Sequence, residues 1–334
     1  MSAGRDGRGP ADDTVTVVIP THDRPSLLRR TLATVLAQRD VEPRVVIVDD
    51  GSSEAAADAI ESCRSEQVTV LRNEQPRGVA AARNRGLDDV SSGWVAFLDD
   101  DDLWAPDKLS AQLAAAAAAP EAGWVCGGAV TVDEDLRVLA AMRPPPGGPI
   151  ATLLLSRNRV PGGASGTMVR TDLARDAGGF DTDLSNIADW DFWIRLALRS
   201  PVVSVDRPLT AYLRHTATMS GEPGGVRDEF ERIWERYQSQ REELGVPASS
   251  RSYEWFARRQ VRAGRRFAAT RSFVTIAHRY RDRRHAWALA TASAASPGAL
   301  VRRWDRQARG RLPTEWRDEA ETWLAPLRSF PEGG

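Results

Sequence analysis

Trp94-Val95-Ala96-Phe97-Leu98 runs directly into Asp99-Asp100-Asp101-Asp102. Five apolar residues followed by a hard stop predict a strand buried on both faces. Four adjacent carboxylates repel one another, so their placement at the end of such a strand needs a counter-charge. A divalent cation carrying a substrate diphosphate supplies one. Hard oxygen ligands at this place point to Mg²⁺ or Mn²⁺. The plain alternative is a solvated acidic turn capping the segment Leu103-Trp104-Ala105-Pro106.

The same pattern recurs upstream. Val15 to Ile19 is a short apolar strand followed by the polar turn Pro20 to Pro25, with Ser26 as cap of a helix Leu27–Gln38. Arg44 to Val48 is a second strand, ended by Asp49-Asp50-Gly51-Ser52-Ser53. A helix from about Glu54 to Cys63, a strand Val68–Leu71 and a helix over Gly78–Leu87 follow. Short strands alternating with helices imply parallel βαβ units and an α/β sheet. Ligands of such sheets bind beyond the carboxyl ends of the strands, where the clusters at 20–25, 49–53 and 99–102 all fall.

Further on, a helix Asp107–Ala119, a hairpin of Gly123–Val132 with Leu136–Met142, and a proline-rich loop Arg143–Pro149 are expected. Gly162 to Gly166 reads as a flexible loop before the strand Thr167–Val169. Asp189 to Leu198 reads as a helix, and Pro201–Val205 and Leu209–Arg214 as two last strands. Gly221 to Gly225 reads as a linker. Beyond it the composition changes: residues 251–311 hold 16 Arg against three acids, and residues 226–330 hold six of the 11 Trp. Trp255–Tyr280 and Arg283–Ala295 are expected as helices with Arg on the polar face. Such helices suit docking to an anionic membrane surface. The competing reading is a helical appendage whose Trp residues pack against one another and the rest of the chain.

Composition narrows the field. The chain has 334 residues and net charge −1, with 42% hydrophobic and 27% charged residues, as expected of a globular protein. Lys108 is the single lysine. Cys63 and Cys126 match no metal spacing, and reduced thiols in a cytoplasmic protein are expected. Residues 1–13 are polar, read as a disordered N-terminus and lack a signal-peptide core. No run is apolar and long enough to span a bilayer. No readout motif supports nucleic acid as a partner.

Val18-Ile19-Pro20-Thr21-His22-Asp23-Arg24-Pro25, Val48-Asp49-Asp50-Gly51-Ser52 and Phe97-Leu98-Asp99-Asp100-Asp101-Asp102 occur in this order. With Arg83-Asn84-Arg85-Gly86, Gly178-Gly179-Phe180-Asp181 and Ala188-Asp189-Trp190-Asp191, the chain resembles the family 2 glycosyltransferases of the GT-A fold. The resemblance covers residues 14–220. It implies a Rossmann-like mixed sheet flanked by helices as catalytic domain (14–220) and a helical C-terminal module (226–330).

It also implies roles. Pro20, Thr21, His22 and Asp23 frame the nucleobase, and Asp50 accepts the N3–H of uracil. His22 stands where many relatives carry Tyr or Phe. Asp99 and Asp101 form a D-x-D pattern, with Asp99 and Asp100 on the donor side and Asp101 on the metal. The Asp100 and Asp102 side chains are expected to face solvent or cap a helix. Arg83 is the phosphate partner, and His215 completes the metal site. Asp189 is the general base of an inverting transfer, with Ala188 where relatives often have Glu. Asp191 is its competitor, but Arg195 four residues on suits it as a structural partner.

The implied activity is transfer of a sugar, from a UDP-sugar by expectation, to a glycan or lipid-linked saccharide at the cytoplasmic face of the membrane. Two other readings stay open. A nucleotidyltransferase needs a Gly-rich basic loop that Thr21–Pro25 lacks. An inactive sugar- or membrane-binding relative would not need Asp99, Asp101 and Asp189.

Overall fold

The computed structural model describes residues 12–214, 223–247, 250–279 and 283–330. A single nine-stranded mixed sheet organises the chain. Its first half is parallel. Strands β1 (Val15–Thr21), β2 (Arg44–Asp49), β3 (Val68–Arg72) and β4 (Trp94–Phe97) lie in the order β3-β2-β1-β4. Helices α1 (Pro25–Leu36), α2 (Glu54–Glu61) and α3 (Val79–Asp88) make the crossovers. All seven residues of β1 and all four of β4 are buried, as strands covered on both faces must be.

The second half mixes antiparallel pairs with one long parallel pair. Two-residue β5 (Leu103–Trp104) precedes α4 (Lys108–Ala118), β6 (Trp124–Val132), β7 (Val138–Met142) and α5 (Ala151–Ser156). Then come β8 (Thr167–Arg170), α6 (Thr171–Asp176), α7 (Ala188–Ala197) and β9 (Val202–Leu213). The order continues β4-β8-β6-β9-β5, with β7 on the free part of β6. Gly163–Gly166, expected as a loop, is a 3₁₀ turn.

Among the described residues seven α-helices follow: α8 (Pro223–Arg236), α9 (Gln238–Glu243), α10 (Ser250–Arg262), α11 (Arg266–Arg279), α12 (Arg283–Ala295), α13 (Pro297–Gly310) and α14 (Thr314–Leu324). Helix α8 begins inside the stretch expected as a linker.

Three apolar clusters build the core. Val17, Ile19, Ile47 and Ala96 meet α1, α2 and α4 on one face. Val18, Val46, Val48 and Phe97 face α3, α5, α6 and α7 on the other, and this cluster runs on into α8 and α10–α13. Trp193 stacks on Trp124 at 5.8 Å, and Trp190 on Phe230 of α8 at 5.6 Å. Both α7 tryptophans are therefore core residues. The third cluster seats Trp316, Ala320 and Leu324 of α14 against Val130, Ala211 and Leu213. Trp304 is buried as well, whereas Trp255, Phe267 and Trp287 stay exposed. No helix among the described residues is long and apolar enough to cross a membrane.

Three expectations change. Helix α1 begins at Pro25 with Arg24 as cap and no side-chain capping bond, because proline suits the first helical position. The two expected last strands are one, β9. A register shift against β6 at Gly127–Ala129 accommodates Pro208, whose missing N–H would interrupt a regular ladder. The expected helix Trp255–Tyr280 is two, α10 and α11, broken at Gly264 with φ +72°.

Candidate functional site

β1 is the point where the strand order reverses, with β2 on one side and β4 on the other. The chain leaving β1 therefore passes between the segments leaving β2 and β4. Thr21 is tied to both. Its carbonyl accepts the Asp50 N–H at 2.9 Å, and its hydroxyl donates to Asp100 Oδ2 at 2.7 Å.

The residues after β1 and β2 lock together. His22 Nδ1 donates to the Asp50 carbonyl at 3.0 Å, which leaves its ring half exposed. Asp23, with φ +54°, accepts the N–H and hydroxyl of Ser53 at 2.8 and 2.7 Å. The Ser53 hydroxyl and amide hold the Asp23 carboxyl below the usual carboxylate range. Pro20 is buried within β1.

Asp50 is buried and fully employed. One oxygen accepts Asn73 Nδ2 at 2.6 Å and the Arg77 N–H at 3.0 Å. The other accepts the Arg77 and Gly78 N–H groups at 3.1 and 2.7 Å. Gly78 is the residue before α3, so Asp50 anchors the start of the helix that carries Arg83. Gly86 lets α3 lie flat on β1, since a Cβ there would collide with Val18.

The four aspartates split into two pairs. Asp99 and Asp101 point outward, with side chains 30% and 19% exposed. Asp100 and Asp102 point inward, which overturns the expectation that they face solvent or cap a helix. The turn alternates sides, and polar partners receive the inner pair. Asp102, wholly buried, accepts the Ser165 hydroxyl at 2.6 Å and the Leu213 N–H at 3.1 Å. Burial, then the charges of Asp101 and Asp99, raise its carboxyl well above the usual range. Burial and Asp101 likewise push Asp100 up to about 7, against Thr21 and Arg24. Arg24 Nη1 pairs with Asp101 at 3.3 Å and Asp100 at 3.5 Å, and Arg83 pairs with Asp99.

Arg83 is buried beneath this turn and lies over the Phe180 ring at 5.1 Å. Asp189, in the first turn of α7, joins the same site. Burial raises its carboxyl; Arg83 opposes the rise and Asp99 adds to it. One oxygen accepts the Trp190 N–H at 2.7 Å. Gly163, with φ +54°, leaves room beside the other, and a Cβ there would sit 3.4 Å from it. Asp191 lies elsewhere, wholly buried among Arg195, Arg236 and Tyr237.

The structure thus gathers Thr21, His22, Asp23, Asp50, Arg83, Asp99, Asp100, Asp101 and Asp189 around one sheet edge. His215 lies outside the described residues. Sequence reasoning passed over Arg24, Asn73 and Ser165. Arg24 lies within the Val18–Pro25 motif, but nothing local in the sequence tells that Asn73 and Ser165 meet Asp50 and Asp102.

As for a metal, the described residues contain no group of three or more His, Cys, Asp or Glu side chains able to hold one. The outward carboxylates Asp99 and Asp101 form a hard two-residue donor set. That suits Mg²⁺ or Mn²⁺, which keep waters and take their other ligands from a substrate diphosphate.

A mixed sheet with an acidic D-x-D turn at its switch point, covered by helices on both faces, is the architecture of a GT-A glycosyltransferase. Residues 16–176 match the model for Glycosyl transferase family 2. The uncharacterized protein MT1568 of Mycobacterium tuberculosis is 30% identical over 222 residues, covering 62% of this chain and 69% of that protein. The Escherichia coli UDP-Glc:alpha-D-GlcNAc-diphosphoundecaprenol beta-1,3-glucosyltransferase WfgD is 29% identical over 102 residues, covering 30% of this chain and 40% of that one. The crystal structure of S. aureus TarS 1–349 in complex with UDP-GlcNAc has the same fold, with TM-score 0.57 and 17% identity over 94% of this chain and 92% of that one. The chain belongs to the family 2 glycosyltransferases.

Proposed function

We propose that the protein moves a sugar from a UDP-sugar to a hydroxyl of a glycan or lipid-linked saccharide, with inversion at the anomeric carbon. The observation that carries this reading is the outward pair Asp99 and Asp101 at the switch of strand order, facing a half-buried Asp189 through Arg83. The names of WfgD and of the TarS complex supply the analogy for a UDP-sugar donor and a diphosphate-lipid acceptor.

The nucleobase lies between the Pro20–Asp23 turn and the segment 73–78 that Asp50 holds. His22 offers a ring face for stacking. Asp99 meets the ribose, and Arg83 swings from Asp99 toward a phosphate oxygen, which its planar fork suits. Asp101, with His215, would hold Mg²⁺ or Mn²⁺. When bound, the ion neutralises charge on the departing nucleoside diphosphate. Asp189 takes the proton of the acceptor hydroxyl as that oxygen attacks the anomeric carbon from the face opposite the leaving group. A raised carboxyl pKa makes it a stronger base than a solvated carboxylate. Residues 14–220 carry this chemistry. The exposed Trp255, Phe267 and Trp287 among arginines give 226–330 a means of touching an anionic membrane surface.

The test is UDP release from UDP-glucose and UDP-GlcNAc with Mn²⁺. Asp189→Asn should lower turnover by roughly 10²–10⁴-fold while UDP still binds. Wild-type turnover in that variant would remove Asp189 from the mechanism.

A further inference from the structure

Helix α8 grips the start of α7 on both sides of Asp189. Glu229, 3% exposed, faces the segment leading into α7. Its carboxylate accepts the Ser185 N–H at 3.0 Å, the Asn186 N–H and Nδ2 both at 2.9 Å, and the Ile187 N–H at 3.2 Å. At the far end of α8, Arg236 donates to Asp191 at 2.8 Å and pairs with Asp181 at 2.7 Å. The Tyr237 hydroxyl donates to Asp191 at 2.8 Å. Between these ends, Phe230 stacks on Trp190.

Helix starts leave backbone N–H groups without partners, and a local Ser, Thr, Asp or Asn usually serves them. Here the cap residue is Ile187, with no side-chain capping bond, and Ala188 follows it. A carboxylate 42 residues away satisfies the entry segment instead. Residues 185–187, 190 and 191 are all held by α8 or the residue after it. Asp189 is the position between them that is left facing the site.

We propose that Glu229 is a positioning residue for Asp189, so that α8 fixes the first turn of α7 and with it the direction of the base carboxylate. This rests on the reading of Asp189 as general base. A base acts within about 2.6–3.2 Å of the proton it takes, and a shift of about 1 Å costs on the order of 10²-fold in rate.

The test uses the full chain with Glu229→Gln and Glu229→Ala. Amide hydrogen exchange over residues 185–192 is read first, without substrate. It should rise about tenfold or more in Glu229→Ala, as loss of hydrogen bonds to a buried charge implies, with β1 and β4 unchanged and Glu229→Gln in between. Turnover of UDP-glucose or UDP-GlcNAc with Mn²⁺ should fall by roughly 10–10²-fold, while UDP affinity and donor KM hold. In the Asp189→Asn background, Glu229→Ala should add no further loss, because it acts through Asp189. Unchanged exchange, wild-type kcat, or losses that multiply in the double variant would each overturn the proposal. Wild-type turnover in Asp189→Asn instead removes the base assignment and this role with it. An inactive Asp189→Asn beside a fully active Glu229→Ala overturns the positioning role alone.

Discussion

Asp50→Asn should destabilise the protein in the absence of any nucleotide. The native carboxylate takes four hydrogen bonds, three of them from the Arg77 and Gly78 amides at the start of α3. An asparagine offers one acceptor oxygen and one amide group. Whichever way it turns, its NH₂ faces donors, and at least one of them loses its partner. Hydrogen bonds to a charged group contribute about 1.5–3 kcal/mol each. Loss of negative charge at a helix N-terminus adds about 0.3–1 kcal/mol. The expected loss is thus about 2–4 kcal/mol, or a fall of roughly 3–6 °C in Tm. Circular dichroism during heating and urea titration of the ligand-free protein reads it directly. A wild-type midpoint combined with lost UDP affinity would refute the reasoning. It would make Asp50 a ligand contact and not the bracket of the 73–78 segment.

Other outcomes follow from the same site. The folded pKa of Asp102 lies above its unfolded value, so its contribution to stability is present below the usual carboxylate pKa and is lost as pH rises through the raised one. Asp102→Asn should therefore lie closer to wild type near pH 4 and gain on it as pH rises toward 8, read by urea denaturation at each pH. The acid limb of kcat should lie above the ordinary aspartate range because burial raises Asp189. Removing the opposing cation with Arg83→Gln should move that limb to higher pH in a pH–rate profile. Arg236→Ala leaves Asp181 and the buried Asp191 short of a partner and should cost about 1–3 kcal/mol in the urea transition.

Much of this arrangement was written locally. Strand β4 and its aspartates, the turns after β1 and β2, and the preference for Asp191 as a structural partner of Arg195 all rest on neighbours within a few residues. Inward and outward Asp residues could not be separated that way. Asp102 turns inward because Ser165 and Leu213, 63 and 111 residues away, receive it. Strand β5 is two residues long and exists through its pairing with Thr210 and Ala211, so it leaves no period to detect. Pro208 signals a break that the shifted register of β6 absorbs. Glu229 reads as one more helix-surface carboxylate until α8 is laid across α7. The arginine and tryptophan content of the last hundred residues suggests a surface, yet Trp304 and Trp316 are buried. Composition alone does not assign individual rings to core or solvent.

The central claim is a donor site built on the outward carboxylates of the acidic turn. Calorimetric titration with UDP, with and without Mn²⁺, tests it most directly. Binding should need the metal and disappear in Asp101→Asn. Absence of UDP binding, or metal-independent binding that survives in Asp101→Asn, would contradict it.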